Sequence, residues 1–213
     1  MDKQIQGKIA TFFHTFPKRM YKKGEILIHA QEHPQGVFYL EEGFVKEYFF
    51  SKKGEEIVVN IFKPGVFFPM SYAFNDGDNL FSFEAETPLT IYKAPTDQVV
   101  AFLQQHPDVL FDLLRRVYRG VDGLLLRMVS LMSGDATQRV TTELLIHAKR
   151  FGKQSATSAE ISFAISEKEL ASQSGLTRET ISRELKRLKE AGLVFFSHGI
   201  ITIPSLAKLE ESL

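Results

Sequence analysis

Thr177–Gly192, TRETISRELKRLKEAG, packs five basic and three acidic side chains into sixteen residues. A helix turning 100° per residue gathers Ile181, Leu185 and Leu188 on one face. Glu179, Arg183, Lys186 and Glu190 then lie opposite, with Arg178 and Ser182 on one flank of the first turns. The apolar face must be buried. The polar face carries groups suited to double-stranded DNA: arginine bonds guanine O6 and N7 together, glutamate accepts from cytosine N4, and lysine neutralises phosphate. A solvated face laced with ion pairs has the same composition, so the neighbouring residues decide between the two.

Those neighbours form a positioning frame. Ser166 with Glu169 makes a capping box that starts a short helix, on which Leu170 and Ala171 face inward. Gly175 permits a tight turn, and Thr177 caps the charged helix. Two short apolar strands around His198-Gly199, within Leu193–Ile203, read as a wing, and Glu160–Ile165 as a further strand. The pattern predicts a winged helix-turn-helix, with Thr177, Arg178, Glu179, Ser182, Arg183 and Lys186 as its DNA contacts.

Upstream the chain changes character twice. From about Met20 to Ala94 short aromatic and β-branched runs alternate with Gly24, Gly43, Gly54 and Pro64-Gly65, the spacing of a barrel or sandwich. From Thr96 to Met132 the pattern is helical. Leu110, Leu114, Val117, Val121, Leu124, Met128 and Leu131 recur at steps of three and four, and Leu113, Leu125, Val129 and Met132 widen the stripe. Two neighbouring apolar faces need two partners, so a barrel and a second copy of the chain are expected. Gly120 and Gly123 suit a close approach or a bend. Gly134 ends this helix and Asp135 caps the next, which runs to Gly152 before the polar stretch KQSATSAE. A control hinge is expected at 133–138.

Composition narrows the classes. The 213 residues hold 26 basic and 26 acidic side chains, so nucleic-acid contact must come from a local patch. Without cysteine there is no disulfide, thiolate metal site or cysteine-ligated iron–sulfur cluster. No phosphate loop, GxSxG, HExxH or carboxylate dyad points to an enzyme, and Asp76 and Asp78 read as turn residues. No apolar run spans a bilayer and the N-terminus lacks a signal-peptide pattern, which fits a cytoplasmic protein with no membrane partner.

Over nearly its whole length the chain resembles the CRP/FNR superfamily of bacterial transcription regulators. KGEILIHAQEHPQGVFYLEEGFVKEYFFSKKGEEIVVNIFKPG is similar to that family's β-roll, the long helix to its dimerisation helix, and LTRETISREL to its recognition helix. The resemblance implies an α+β fold: a cyclic-nucleotide-binding-like β-roll (1–106), a dimerisation helix and hinge (107–134), and a winged helix-turn-helix domain (135–213). It also implies a homodimer reading a palindromic operator, DNA contact at Arg178, Glu179, Ser182 and Arg183, and RNA polymerase as a partner.

One segment departs from the family. Cyclic-nucleotide-binding members carry Gly-Glu after the Pro-Gly turn and a later Arg for the phosphate. Here Pro69-Met70 stands there, and no Arg or Lys occurs between Lys63 and Lys93. A buried phosphate diester would lack a counter-charge, so cyclic AMP is not expected. Phe67, Phe68, Tyr72, Phe74, Phe81 and Phe83, with Phe62, instead suggest either core or a site for an apolar effector or haem. His14, His29, His33, His106 and His147 are the haem-ligand candidates, with no distinguishing spacing. The contrasting class is a constitutive architectural DNA binder.

Overall fold

In a computed structural model, which describes residues 2–75, 78–154, 159–161, 166–197 and 200–213, the aromatic and β-branched runs pair as two antiparallel four-stranded sheets. After α1 (Lys3–Phe13), the strands are β1 (Lys18–Tyr21), β2 (Ile26–Ile28), β3 (Val37–Glu42), β4 (Val45–Phe50), β5 (Glu56–Phe62), β6 (Val66–Phe68), β7 (Ser82–Ala85) and β8 (Leu89–Ala94), with a short α2 (Met70–Phe74) after β6. The sheet orders are β1-β8-β3-β6 and β2-β7-β4-β5.

The continuous apolar run of β3 has a simple cause: both of its faces are covered. Phe38 and Leu40 point into the roll with Ile28, Val45, Phe68, Phe83, Leu89 and Ile91. Val37 and Tyr39 point outward, where Ile9 and Phe13 of α1 and residues of the helices after β8 cover them. Strand alternation therefore produces two cores from one sequence. The β3–β4 turn needs glycine. Gly43 has φ +89°, and a Cβ there would sit 2.3 Å from the Pro88 carbonyl oxygen.

The helical pattern after β8 is two helices, α3 (Thr96–Gln105) and α4 (Pro107–Ser133). Pro107 opens α4, where its missing N–H costs nothing, and it keeps His106 out of the helical region at φ −127° and ψ 73°. Val99, Phe102 and Leu103 of α3 and Val109 and Leu113 of α4 join the outer core. Apart from Val109 and Leu113, the stripe stays partly uncovered in the single chain. Leu110, Leu114, Val117, Val121, Leu124, Met128 and Leu131 are 38–55% exposed. No atom outside the helix's own backbone and adjacent residues lies within 4 Å of a Cβ built at Gly120 or Gly123.

The chain forms two compact units, Met1–Tyr118 and Arg119–Leu213, divided within α4. In the second unit follow α5 (Ala136–Phe151), β9 (Gly152–Gln154), β10 (Ala159–Ile161), α6 (Glu167–Ser174), α7 (Arg178–Glu190), β11 (Phe195–Ser197), β12 (Ile200–Ile203) and α8 (Leu206–Glu210). Its sheet runs β11-β12-β10-β9. The expected wing strands are β11 and β12; His198-Gly199, the rest of the strand expected to Ile165 and the Asp76 turn lie outside the described residues. Asp135 and Gln138 form a capping box at the start of α5. Arg139 donates to the Leu131 and Gly134 carbonyls, satisfying the end of α4. Arg127 of α4 forks onto Glu143 of α5, Nε to Oε1 at 2.5 Å and Nη2 to Oε2 at 2.7 Å.

Candidate nucleic-acid interface

The helix pair α6–α7 is set by local chemistry at each end. The Ser166 hydroxyl accepts from the Glu169 N–H while the Glu169 carboxylate accepts from the Ser166 N–H, closing the expected box. Gly175 ends α6 in the left-handed region at φ +63°, a conformation that costs a Cβ-bearing residue energy. Thr177 Oγ1 accepts from the Thr180 N–H at 3.2 Å and starts α7. Ile181, Leu185 and Leu188 are buried, which fixes the rotation of α7 about its axis.

With that rotation, all six expected contact residues except the cap come together. Arg178, Glu179, Ser182, Arg183 and Lys186, with Glu167 from α6, line one open cavity of about 700 Å³. Thr177 sits at its N-terminal edge as the capping residue. The cations are solvent-facing. Arg178 lies 3.9 Å from Glu167, Lys186 lies 3.9 Å from Glu190, and Arg183 Nε donates to Glu184 at 3.4 Å. The Arg178 and Lys186 contacts are long and exposed at both ends and worth little, so those two cations are available to a stronger anion, whereas Arg183 meets the buried Glu184 through Nε. The Glu179 carboxyl is held below the usual range by its own backbone N–H and by the Thr177 side chain, so it is ionised and acceptor-only. The face thus offers two forks, one ammonium, one hydroxyl and one acceptor.

Residues outside the expected set complete the frame. Glu184 is 6% exposed on the buried side of α7, where it accepts from Thr137 Oγ1 of α5 at 2.8 Å. Arg187 Nη1 donates to the same hydroxyl at 3.1 Å. The signal was present in the spacing: Glu184 falls three residues after Ile181 and four before Leu188, on the face that must be buried.

The aromatic set in the roll does not line one space. Phe68 and Phe83 face the interior, stacked on each other at 5.6 Å between centroids, and Phe62 stacks on Phe68 at 4.8 Å. Phe81 packs against the same cluster. Phe67, one residue along β6, faces the other core and lies 5.7 Å from Phe13. Tyr72 bonds His33 Nδ1 at 2.7 Å, and Phe74 is half exposed. The aromatic rings therefore serve as core in large part. A cavity of about 420 Å³ in this unit is lined instead by Leu27, Ile28, Glu32, His33, Pro34, Gln35, Phe38 and Lys93. Among the described residues no group of three or more His, Asp or Glu could hold a metal ion, and no helix is long and apolar enough to cross a membrane.

Comparison with known proteins matches both halves. Residues 18–106 match the cyclic nucleotide-binding domain family, and residues 138–212 match the Crp-like helix-turn-helix domain family. The global nitrogen regulator of Synechocystis sp. is 27% identical over 177 residues, 82% of this chain and 79% of that protein. The cAMP-activated global transcriptional regulator CRP of Pasteurella multocida is 26% identical over 181 residues, 84% of this chain and 85% of that one. The structure of FixK2 from Bradyrhizobium japonicum superposes with a TM-score of 0.74 at 21% identity, covering 92% of this chain and 96% of that one. These relatives are regulators rather than enzymes, and the two matched domains stand in the order that the roll, the long helix and the capped helix pair had indicated. The chain belongs to the CRP/FNR superfamily of bacterial transcription regulators.

Proposed function

We propose that this regulator acts in the cytoplasm as a homodimer that reads a palindromic operator through two copies of α7. The observation that carries the reading is the single groove lined by Arg178, Glu179, Ser182, Arg183 and Lys186. A two-fold dimer presents two such helices, so half-sites are expected one helical turn, roughly 34 Å, apart. The seven exposed positions from Leu110 to Leu131 support the dimer: their strict alternation of four and three steps averages 3.5 residues, the period of a two-stranded coiled coil. The family resemblance adds RNA polymerase as the partner through which DNA binding becomes regulation.

The roll is read as a sensor for an effector other than a cyclic nucleotide. Pro69 and Met70 offer neither the carboxylate for a ribose nor a cation for a phosphate, and stacked phenylalanines occupy the interior beside them. Calorimetry with cyclic AMP should give no heat at micromolar protein; micromolar affinity would overturn this part. Effector binding would act by changing the spacing of the two α7 copies through the 133–138 connection.

Selection of bound fragments from random DNA tests the main reading, and should return a palindrome. Arg183→Ala should then cost about 1–3 kcal/mol on that operator and relax preference at one base pair of each half-site. Equal loss on operator and random DNA would make Arg183 a phosphate contact and favour an architectural binder.

A further inference from the structure

Glu184 stands where a carboxylate is expensive. It is 6% exposed, adjacent to the buried Leu185, on a helix whose outer face is meant for a polyanion. A buried charge persists only when its lone pairs are used. Both oxygens are used. Oε2 accepts from Thr137 Oγ1 at 2.8 Å and lies 3.8 Å from Arg187 Nη1, which itself donates to Thr137. Oε1 accepts from Arg183 Nε at 3.4 Å. The Thr137 bond sets the carboxylate plane from the far side, and the free oxygen of that plane then meets the neck of the Arg183 side chain.

Arg183 is otherwise a long, exposed side chain with many rotamers to lose on binding. Anchoring Nε leaves its two terminal nitrogens, the pair that can address guanine O6 and N7 together. Electrostatics separates two possible purposes for the anchor. A negative charge in this helix repels phosphate at every sequence, so Glu184 lowers general affinity. Its return is in geometry. We propose that Glu184, held by Thr137, is a positioning residue that orients the Arg183 guanidinium for base reading and so raises discrimination rather than affinity. This rests on Arg183 being a base reader, as proposed above.

The test measures Glu184→Gln, Thr137→Val and Arg183→Ala in the full-length protein, against the selected operator, its single-base variants and random DNA, with thermal unfolding alongside. Glu184→Gln keeps the shape but removes the charge and can turn an N–H towards Arg183 Nε. It should cut discrimination about fivefold at the base pair that Arg183 reads, leave the other positions unchanged, and hold or tighten binding to random DNA. Thr137→Val should shift the same position in the same direction by less. In an Arg183→Ala background Glu184→Gln should change discrimination no further, because the interaction it acts through is gone. Earlier unfolding with discrimination intact, or equal weakening on every sequence, would reduce Glu184 to a tie between α5 and α7 and overturn the proposal. If Arg183→Ala relaxes its base pair while Glu184→Gln does not, the positioning role alone fails. Unchanged preference in Arg183→Ala removes the base-reading premise, and the proposal with it.

Discussion

Helices α4 and α7 are both amphipathic, and both leave one face uncovered in the single chain, yet the uncovered faces are opposites. On α7 it is Arg178, Glu179, Ser182, Arg183 and Lys186; on α4 it is leucine, valine and methionine at coiled-coil spacing. A solvated polar face costs nothing to expose, so α7 can wait for a ligand that is not always present. An exposed apolar stripe of this length is costly in water and calls for a permanent cover. On the function proposed above, the difference in chemistry separates a transient partner from an obligate one: a polyanion for α7, and a second copy of α4 for α4.

Putting a charge into the apolar stripe should produce the largest effect. Leu124→Glu would place two carboxylates face to face in the proposed seam, and sedimentation should show monomers where the wild type shows dimers. A monomer loses the linkage between half-sites, so operator affinity should fall about a thousandfold, within the 10²–10⁴ that linked binding commonly supplies. A wild-type chain that sediments as a monomer at micromolar concentration would break the comparison at once.

The next effect sharpens it, because α4 also has a polar contact that is not for a partner. Arg127 and Glu143 have side chains 14% and 2% exposed. Burial pushes the Glu143 carboxyl up, against the opposing pull of Arg127. Arg127→Met would leave that carboxylate buried without its hydrogen-bonding cation, with only the charge of Arg150 acting on it, and should cost about 3 kcal/mol in denaturant unfolding. Replacing both residues by Met should recover most of the loss. Failure to recover it would mean that the pair holds the α4–α5 connection in shape, not merely in charge balance.

The α7 face was legible because each of its signals is local: a Ser-x-x-Glu box, a glycine at the turn, a threonine cap and an apolar face at helical spacing. The buried polar groups were not. Residue type sorts Glu143, His147 and Glu184 onto the solvent side, against the spacing that sets Glu184 with Ile181 and Leu188, and the tertiary partners Arg127, Gln173 and Thr137 explain their burial. Helix α1 was also missed, since its lone buried pair, Ile9 and Phe13, gives too little of a stripe to count. The aromatic set in the roll shows a different limit. Phe67 and Phe68 are neighbours in a strand, so alternation alone sends them to different cores, while their shared residue type invited grouping.

His147 offers a smaller, pH-dependent effect confined to the α7-bearing unit. Burial above all lowers its pKa from 6.5 to about 4, with Arg150 and Arg127 adding to the shift and the Gln173 hydrogen bond opposing it. Between those two values the unfolded chain binds a proton that the folded chain refuses, so stability rises with pH across the window and is lost as pH falls. The loss should be about 2 kcal/mol at pH 5 relative to pH 7, levelling off below pH 4. The difference between wild type and His147→Gln in thermal melts isolates this contribution from the other acids. A difference that stays flat from pH 7 to 4 would mean His147 titrates normally and is not buried as described.

The smallest effect tests the division of labour along α7 itself. Arg178 to Ser182 occupy the first turns, the part of a recognition helix that reaches base edges, and Arg183 follows on the same face. Lys186 is nearly a turn further along, its side chain 77% exposed and its ammonium 3.9 Å from Glu190. A point charge on a flexible stem has no geometry with which to select a base, but it neutralises a phosphate well. Each phosphate contact releases about one counterion, so Lys186→Ala should flatten the salt dependence by about one unit of slope per protomer. Operator and random DNA should weaken by the same factor at each salt concentration, and that factor should be roughly fourfold smaller per protomer at 200 than at 50 mM salt. Titrations at two salt concentrations decide it, run beside Arg183→Ala, whose slope should move less and whose base preference should move more. Were Lys186→Ala to relax a base pair and leave the slope unchanged, the base-reading part of the face would extend beyond Arg183, and α7 would lie deeper in the groove than its first turns imply.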